Sequence, residues 1–348
     1  MKKLVLILLA VVLASALIFI GCPKPAAPEV FQLRFANAMP EMMKDILSGT
    51  FFCDYVVEHS GGRIEITKHY GGSLASAPEL LDLAKTGGAD IIGLLPVNLY
   101  KDALPIAAGV QFQYLRDMSD ILPFLNGLVL DNPETASICE EELARQNLEW
   151  MTYWSTGHSV LVCNFLPAAT LADLQGKKIG VASDMPFIDA LGMSSVMGDP
   201  SETYESLSRG VFDAAYASAS MVHTQMLFEC SKAFLLDGVM GAAGGVVMNR
   251  DTFERLPADL QQVCRDAAVA AADYSIMVMA AGESEGKRIF EENGCEVNIL
   301  PPADQLTTYT AVYDDWVKGF TELCGRTGVS ADDRDLIIEY VSDFAFPQ

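Results

Sequence analysis

Basic residues, histidines and tryptophans are scarce in this chain. Its 348 residues hold 23 lysines and arginines against 46 aspartates and glutamates, with four histidines and three tryptophans, and the formal net charge is −23. A body this acidic repels polyphosphate, which argues against nucleic acid as a partner. An anionic ligand would need a local positive site to overcome the far field. The eight cysteines, at 22, 53, 139, 163, 230, 264, 295 and 324, include no C-x-x-C pair and no cysteine–histidine spacing suited to a metal. No nucleophile elbow, phosphate loop or zinc motif accompanies His59, His69, His158 and His223. With no nucleophile and base in a recognisable arrangement, an enzyme is not expected. No cofactor or metal is expected either. Repeats and low-complexity stretches are also missing, so the chain reads as globular apart from its start.

That start is Lys2-Lys3, an apolar run from Leu4 to Ile20, and Gly21-Cys22 followed by "PKPAAPE". Charge, apolar core and small residue in that order make an export signal. The cysteine after a small residue resembles a bacterial lipoprotein cleavage site, with Cys22 as the lipidation site. Residues 1–22 are then a signal peptide and 23–30 a semi-extended tether. The body is expected in the periplasm or another extracytoplasmic space, touching the membrane only through a lipid anchor. With Cys22 spent, seven cysteines remain and cannot all pair. Cys163 in "VLVCNF" and Cys264 in "LQQVCRDAA" sit in apolar runs, where a reduced cysteine is a small buried hydrophobe.

The remaining chain is too long for one ordinary core and suits two α/β domains. "FQLRFAN" reads as a strand, the stretch through "FFCDYVVEHS" as a helix, and "RIEITKHY" as a strand introduced by a glycine turn. "APELLDLAKTGG" is a helix ended by glycines and "ADIIGLLP" a buried strand. This β-α-β-α-β order predicts parallel pairing with crossover helices in an open sheet. Ligands of such sheets bind beyond the carboxyl ends of the strands, so Asn37 and Ala38, Tyr70 to Ser73, and Leu95 to Asn98 are the first candidates. A second series opens at "LEWMTYWS" and "HSVLVCNF", continues through "TLADLQG", capped by Thr170 and ended by Gly176, and reaches the strand "KKIGVAS". "ETYESLSRG" and "VFDAAYAS" repeat the helix-strand step. One long helix follows "MNRDTFERLP" and is long enough to lie across both domains.

Several of these segments together resemble the DctP-type solute receptors of tripartite ATP-independent periplasmic (TRAP) transporters. "EHSGGRIEITKHYGGSLAS", "ELLDLAKTGGADI", "TLADLQGKKIGV", "ETYESLSRGVFDAAYAS" and "MNRDTFERLPADLQQVCRDAA" match family segments in the family's order, and the likeness covers nearly all of residues 31–345. It implies a two-domain periplasmic binding protein fold: open sheets flanked by helices, crossing hinge strands and a long domain-spanning helix. Domain I is expected to be 31–156 plus 247–285, and domain II 157–246 plus 286–348. The resemblance further implies closure on a small organic ligand and delivery to TRAP permease subunits. A sensor presenting its ligand to a membrane kinase would use the same body.

Members of that family typically grip a carboxylate with an arginine two positions after a glycine in the crossing strand. Counting from Gly157, that position here is Ser159. A second basic residue of the family, in the strand Lys178-Ile179-Gly180-Val181, is Gly180. Three ligand readings follow. The first is a neutral or aromatic compound held by Trp154, Tyr216 and methionines such as Met39, Met185 and Met193, with Asn37, Ser159 and Ser183 supplying hydrogen bonds and Leu95 part of the wall. The second is an organic acid held by His158 or by helix N-termini. If Ser159 faces the cleft, alternation turns His158 away. The third is a cation held by aromatic faces and carboxylates such as Glu41 or Asp184. The first is preferred.

Overall fold

A computed structural model describes residues 29–41, 48–110, 118–182, 185–199, 202–220, 222–238 and 243–345. Cys22, Ser183 and Asp184 fall outside those residues.

Two mixed sheets form the frame. The first has the order β2-β1-β3-β10-β4, with β1 (Phe31–Asn37), β2 (Ile64–His69), β3 (Ile91–Leu94), β10 (Ala243–Asn249) and β4 (Leu148–Ser155). β1 pairs in parallel with β2 and β3, as its crossover helices require, while β10 runs antiparallel to both β3 and β4. Thus β1, β2, β3 and β4 all end at one edge. The second sheet has the order β11-β9-β5-β8-β6-β7, with β5 (Ser159–Cys163), β6 (Lys178–Val181), β7 (Ser194–Met197), β8 (Ala214–Ser218), β9 (Ala233–Leu236) and β11 (Glu296–Ile299). β5 is antiparallel to β8 and β9, and β6 is parallel to β7 and β8. The carboxyl ends of β6, β7, β8 and β9 therefore share an edge with Ser159, where β5 begins.

The local signals behave as their chemistry demands. Thr170 caps the helix Leu171–Leu174 through a reciprocal box with Asp173, and Gly176 leaves it at φ +70°. One reading is corrected: "LEWMTYWS" does not open the second series. As β4 it pairs along the whole of β10 in the first sheet, where Trp150, Tyr153 and Trp154 are buried. β7 and β9 are short, and no sequence pattern announced them. The boundary expected between 246 and 247 falls inside β10.

One helix of 35 residues, Ala258–Glu292, serves both sheets. Its first half packs Leu260, Cys264, Ala267 and Ala271 against Phe35, Trp154 and Val246 of the first sheet. Its second half brings Phe290 edge-on to Phe234 of β9, with ring centroids 5.1 Å apart. Between them the helix comes close to the chain after β8, because a Cβ at Gly282 would stand 2.9 Å from the Ser220 side chain and one at Gly286 2.6 Å from the Ala219 carbonyl. The C-terminal helices also bridge. Pro302–Thr327 accepts the Leu171 N–H on Asp304 at 2.9 Å, and its Trp316 indole donates to the Gly109 carbonyl at 3.1 Å. Ala331–Ala345 stacks Phe344 on Phe124, 4.0 Å between centroids, beside the segment expected in domain I. All seven cysteines of the described residues are unpaired, and six of them are buried.

Candidate ligand-binding site

The strand ends define a single region. The chain passes from the first sheet to the second through 156–158, between the carboxyl end of β4 and the start of β5, and returns after β9 to begin β10 at Ala243. Both sheets thus turn their carboxyl edges toward the crossings, the place where open α/β sheets bind ligands.

On the first sheet, Asn37 ends β1 and is 2 % exposed. Its Oδ1 accepts the Met39 N–H at 2.7 Å, which shapes the turn that carries Met39. Its Nδ2 lies over the backbone of Gly93, its ladder partner on β3, and has no hydrogen-bond partner among the described residues. A Cβ at residue 93 would strike that amide, so glycine is required there. The loop after β2 folds onto this turn: Gly71 N–H donates to the Met39 carbonyl at 2.8 Å, and the Tyr70 hydroxyl shares a 2.9 Å hydrogen bond with Thr50. Met39, Tyr70 and Leu95 are partly buried against the same core.

Trp154 is placed differently from the expectation of a ligand-facing ring. It is 1 % exposed and lies flat over Gly244 of β10, packed among Phe35, Val246 and the long helix. Its Nε1 is also without a partner among the described residues. Gly93 pairs with Val246, two residues from Gly244 along β10. The indole and the Asn37 amide therefore lie on adjacent strands, on the face that carries the long helix. Ser48 Oγ, fully buried at the start of the helix Ser48–His59, is a third unpartnered polar atom. Buried polar groups are nearly always hydrogen-bonded in folded proteins, so three such atoms in one core layer call for a physical reason.

On the second sheet, Ser159 is 8 % exposed and pairs with Ser218 across the β5–β8 ladder. Leu161, two residues on, pairs with Tyr216 and shares its face with Ser159. Tyr216 packs edge-on to Phe187, 6.3 Å between centroids, and its hydroxyl donates to the carboxylate of Asp237, itself 1 % exposed. Burial, then the Asp237 charge, push the phenol far above its ordinary pKa. Met193 is buried and Met185 partly buried on the same side. His158 goes the other way, as alternation requires: its Nδ1 is 2.8 Å from Glu283 of the long helix. At Gly180 the direction a side chain would take is filled by the Phe212 ring, so an arginine has no room there.

The arginines near the first sheet gather at its opposite edge. Arg34 reaches Asp90, Arg63 reaches Asp259, Arg250 bonds Glu140 and Glu149, and Arg265 bonds Glu149 and the Trp150 carbonyl. Lys44 and Arg116 are outside the described residues.

Residues 40–322 match the family model DctP, bacterial extracellular solute-binding protein, family 7. The chain belongs to that family. Among its relatives is the 2,3-diketo-L-gulonate-binding periplasmic protein YiaO of Escherichia coli, 24 % identical over 76 % of this chain and 80 % of that protein. Solved structures carry the same fold. A TRAP periplasmic solute-binding protein from Ochrobactrum anthropi superposes with a TM-score of 0.74 at 22 % identity, covering 90 % of this chain and 96 % of the other. The ectoine-binding protein of the TeaABC TRAP transporter, in its apo state, gives 0.75 at 19 %, covering 90 % and 99 %. This DctP-family chain is therefore a solute receptor of the TRAP type and not an enzyme, with the two-sheet α/β fold of that family. No helix among the described residues is long and apolar enough to cross a membrane.

Asp237, Ser218, Phe212, Ser275 and Glu283 escaped the sequence reading. Only Glu283 left a signal, as an acid in the part of the long helix that also carries Gly282 and Gly286.

Proposed function

We propose that this receptor closes on a small neutral, hydrogen-bond-accepting organic ligand between its two lobes and delivers it to a TRAP permease, anchored outside the cytoplasm by a lipid on Cys22. The observation that carries this reading is the buried donor Asn37 Nδ2, without a partner among the described residues, at the carboxyl end of β1, together with family arginine positions that hold Ser159 and Gly180. A carbonyl, ether or hydroxyl oxygen could accept from such a donor without a compensating cation. A carboxylate would arrive in a strongly acidic body with no described guanidinium to meet it. Met39, Leu95 and Tyr216 supply the apolar part of the wall, as ligand pockets require. Domain I, 31–156 with the β10 strand and the first half of the long helix, and domain II, carrying the second sheet, are the two closing bodies. Binding shifts them toward the closed form by its greater affinity for that form.

The test is a thermal-shift comparison of the exported domain with succinate, D-glucuronate, ectoine and neutral aromatic amides side by side. Neutral compounds should raise the melting temperature by mass action. If succinate or glucuronate alone raises it, the cleft holds an acid and the reading fails.

A further inference from the structure

The crossing between the lobes carries a charged cluster that ligand contact leaves unexplained. His158 Nδ1 stands 2.8 Å from Glu283 Oε2, while Lys287 Nζ stands 2.6 Å from Glu283 Oε1, so one carboxylate serves both. The Glu283 side chain is only 12 % exposed. Burial alone would raise its carboxyl, but the bonds from His158 and Lys287 outweigh it and hold the group at about 2. A buried, permanently ionised carboxylate in mid-helix is costly unless something needs it there.

Its surroundings show what it holds. Immediately before His158, Gly157 adopts φ +86°, where an added Cβ would stand 3.3 Å from the Met279 side chain of the same helix, and its N–H donates to Ser155 Oγ at 3.0 Å. The Ser218 hydroxyl donates to the Thr156 carbonyl at 3.0 Å, and the Ala219 N–H to the His158 carbonyl at 2.9 Å. The backbone of 155–158 is thus fixed by its neighbours, and the one long side chain in it is tied to Glu283. Successive side chains of a strand point to opposite faces. An imidazole held on the helix side sends Ser159 to the face of Leu161 and Tyr216.

We propose that Glu283 is a positioning residue of the ligand site: by holding His158 on the long helix it fixes how Ser159 is presented to the ligand, and it links that presentation to the protonation of His158. The proposal rests on the reading of Ser159 as a cleft residue. A charged imidazolium pairs with the Glu283 carboxylate more strongly than a neutral ring does, so the hold is firmest when His158 is protonated. On the same helix Lys287 shares that carboxylate with the ring.

The test uses the full exported chain. In an NMR titration of the ring protons, Glu283→Gln should lower the His158 midpoint relative to the parent, because the carboxylate that favours the imidazolium is gone. In Ser159→Cys, iodoacetamide modification at that one site, read by peptide mass spectrometry at fixed pH, should change about fivefold or more when Glu283→Gln is added, because the loosened crossing presents residue 159 differently. Glu283→Asp should restore part of the original rate. Should Glu283→Gln fail to fold, His158→Gln carries the same labelling test. An unmoved His158 midpoint, or labelling insensitive to both variants, overturns the proposal. If both change as stated while Ser159→Ala leaves every thermal shift of the compound panel intact, the positioning role stands and the ligand reading falls.

Discussion

The Ser155 N–H meets the Ser275 hydroxyl at 3.4 Å, joining the last residue of β4 to the middle of the long helix at the point where that helix passes from one sheet to the other. Ser275 is 1 % exposed and donates its own proton to the Ala272 carbonyl one turn back at 2.7 Å. A serine bonding back in this way tends to bend a helix. A polar contact thus ties the end of β4 to the long helix beside the crossing between the sheets.

Ser275→Ala tests that contact. It removes the hydroxyl that accepts the buried Ser155 N–H, a loss that costs about 1–3 kcal/mol where the N–H finds no other acceptor. Denaturant titration should show the loss in midpoint. If the variant is as stable as the parent, the contact at 3.4 Å contributes nothing.

Gly244→Ala and Gly93→Ala test the two donors from below. Each adds a methyl against a group that lies flat on the strand, the Trp154 indole in one case and the Asn37 amide in the other. Overpacking of this kind costs about 1–3 kcal/mol. Both should lower the melting temperature. Gly93→Ala should in addition weaken binding of any compound that stabilises the parent, since it displaces Asn37 Nδ2.

How much of this was legible beforehand depends on whether a signal was local. The parallel start of the first sheet followed from periodicity and glycine turns, and Thr170 and Gly176 bounded their helix as capping chemistry dictates. Strand alternation set His158 and Ser159 on opposite faces without saying which of them meets the cleft. What escaped was set by distant partners. β4 belongs to the first sheet because β10, about a hundred residues later, pairs with it. Trp154 is a core residue because Gly244 on that same strand leaves room for the indole. Gly180 reads as a lost basic residue until Phe212 is seen to occupy its side-chain direction. No window of sequence contains both members of such a pair.

Ser159→Arg asks whether the missing clamp can be restored. If residue 159 faces the cleft, a guanidinium there should create or strengthen carboxylate binding, because it grips both oxygens at once. Succinate or D-glucuronate should then raise the melting temperature of the variant more than of the parent. An unchanged response to every acid tested means that the side chain points elsewhere.

Two buried carboxylates should leave opposite marks on stability against pH. Glu283 sits below its ordinary value of 4.5, at about 2, so its contribution is present above pH 4.5 and lost as pH falls toward 2. Glu142, 4 % exposed, is raised from 4.5 to about 7 by burial, although Ala107 and Ile106 both donate backbone N–H groups to it. An acid raised in the folded state contributes most below pH 4.5, and that contribution disappears as pH rises through 7. Each shift corresponds to at most about 3 kcal/mol. Stability measured by denaturant from pH 2 to 8 should rise to a maximum near pH 4.5 to 5 in so far as these two groups govern it. Glu142→Gln should flatten the fall between 4.5 and 7, although it sacrifices one of the two accepted N–H bonds and lowers stability at pH 4.5. Glu283→Gln should flatten only the acid limb. If both variants keep the parent's slope in their own windows, the titrations belong to other groups, and neither carboxylate is ionised as its surroundings require.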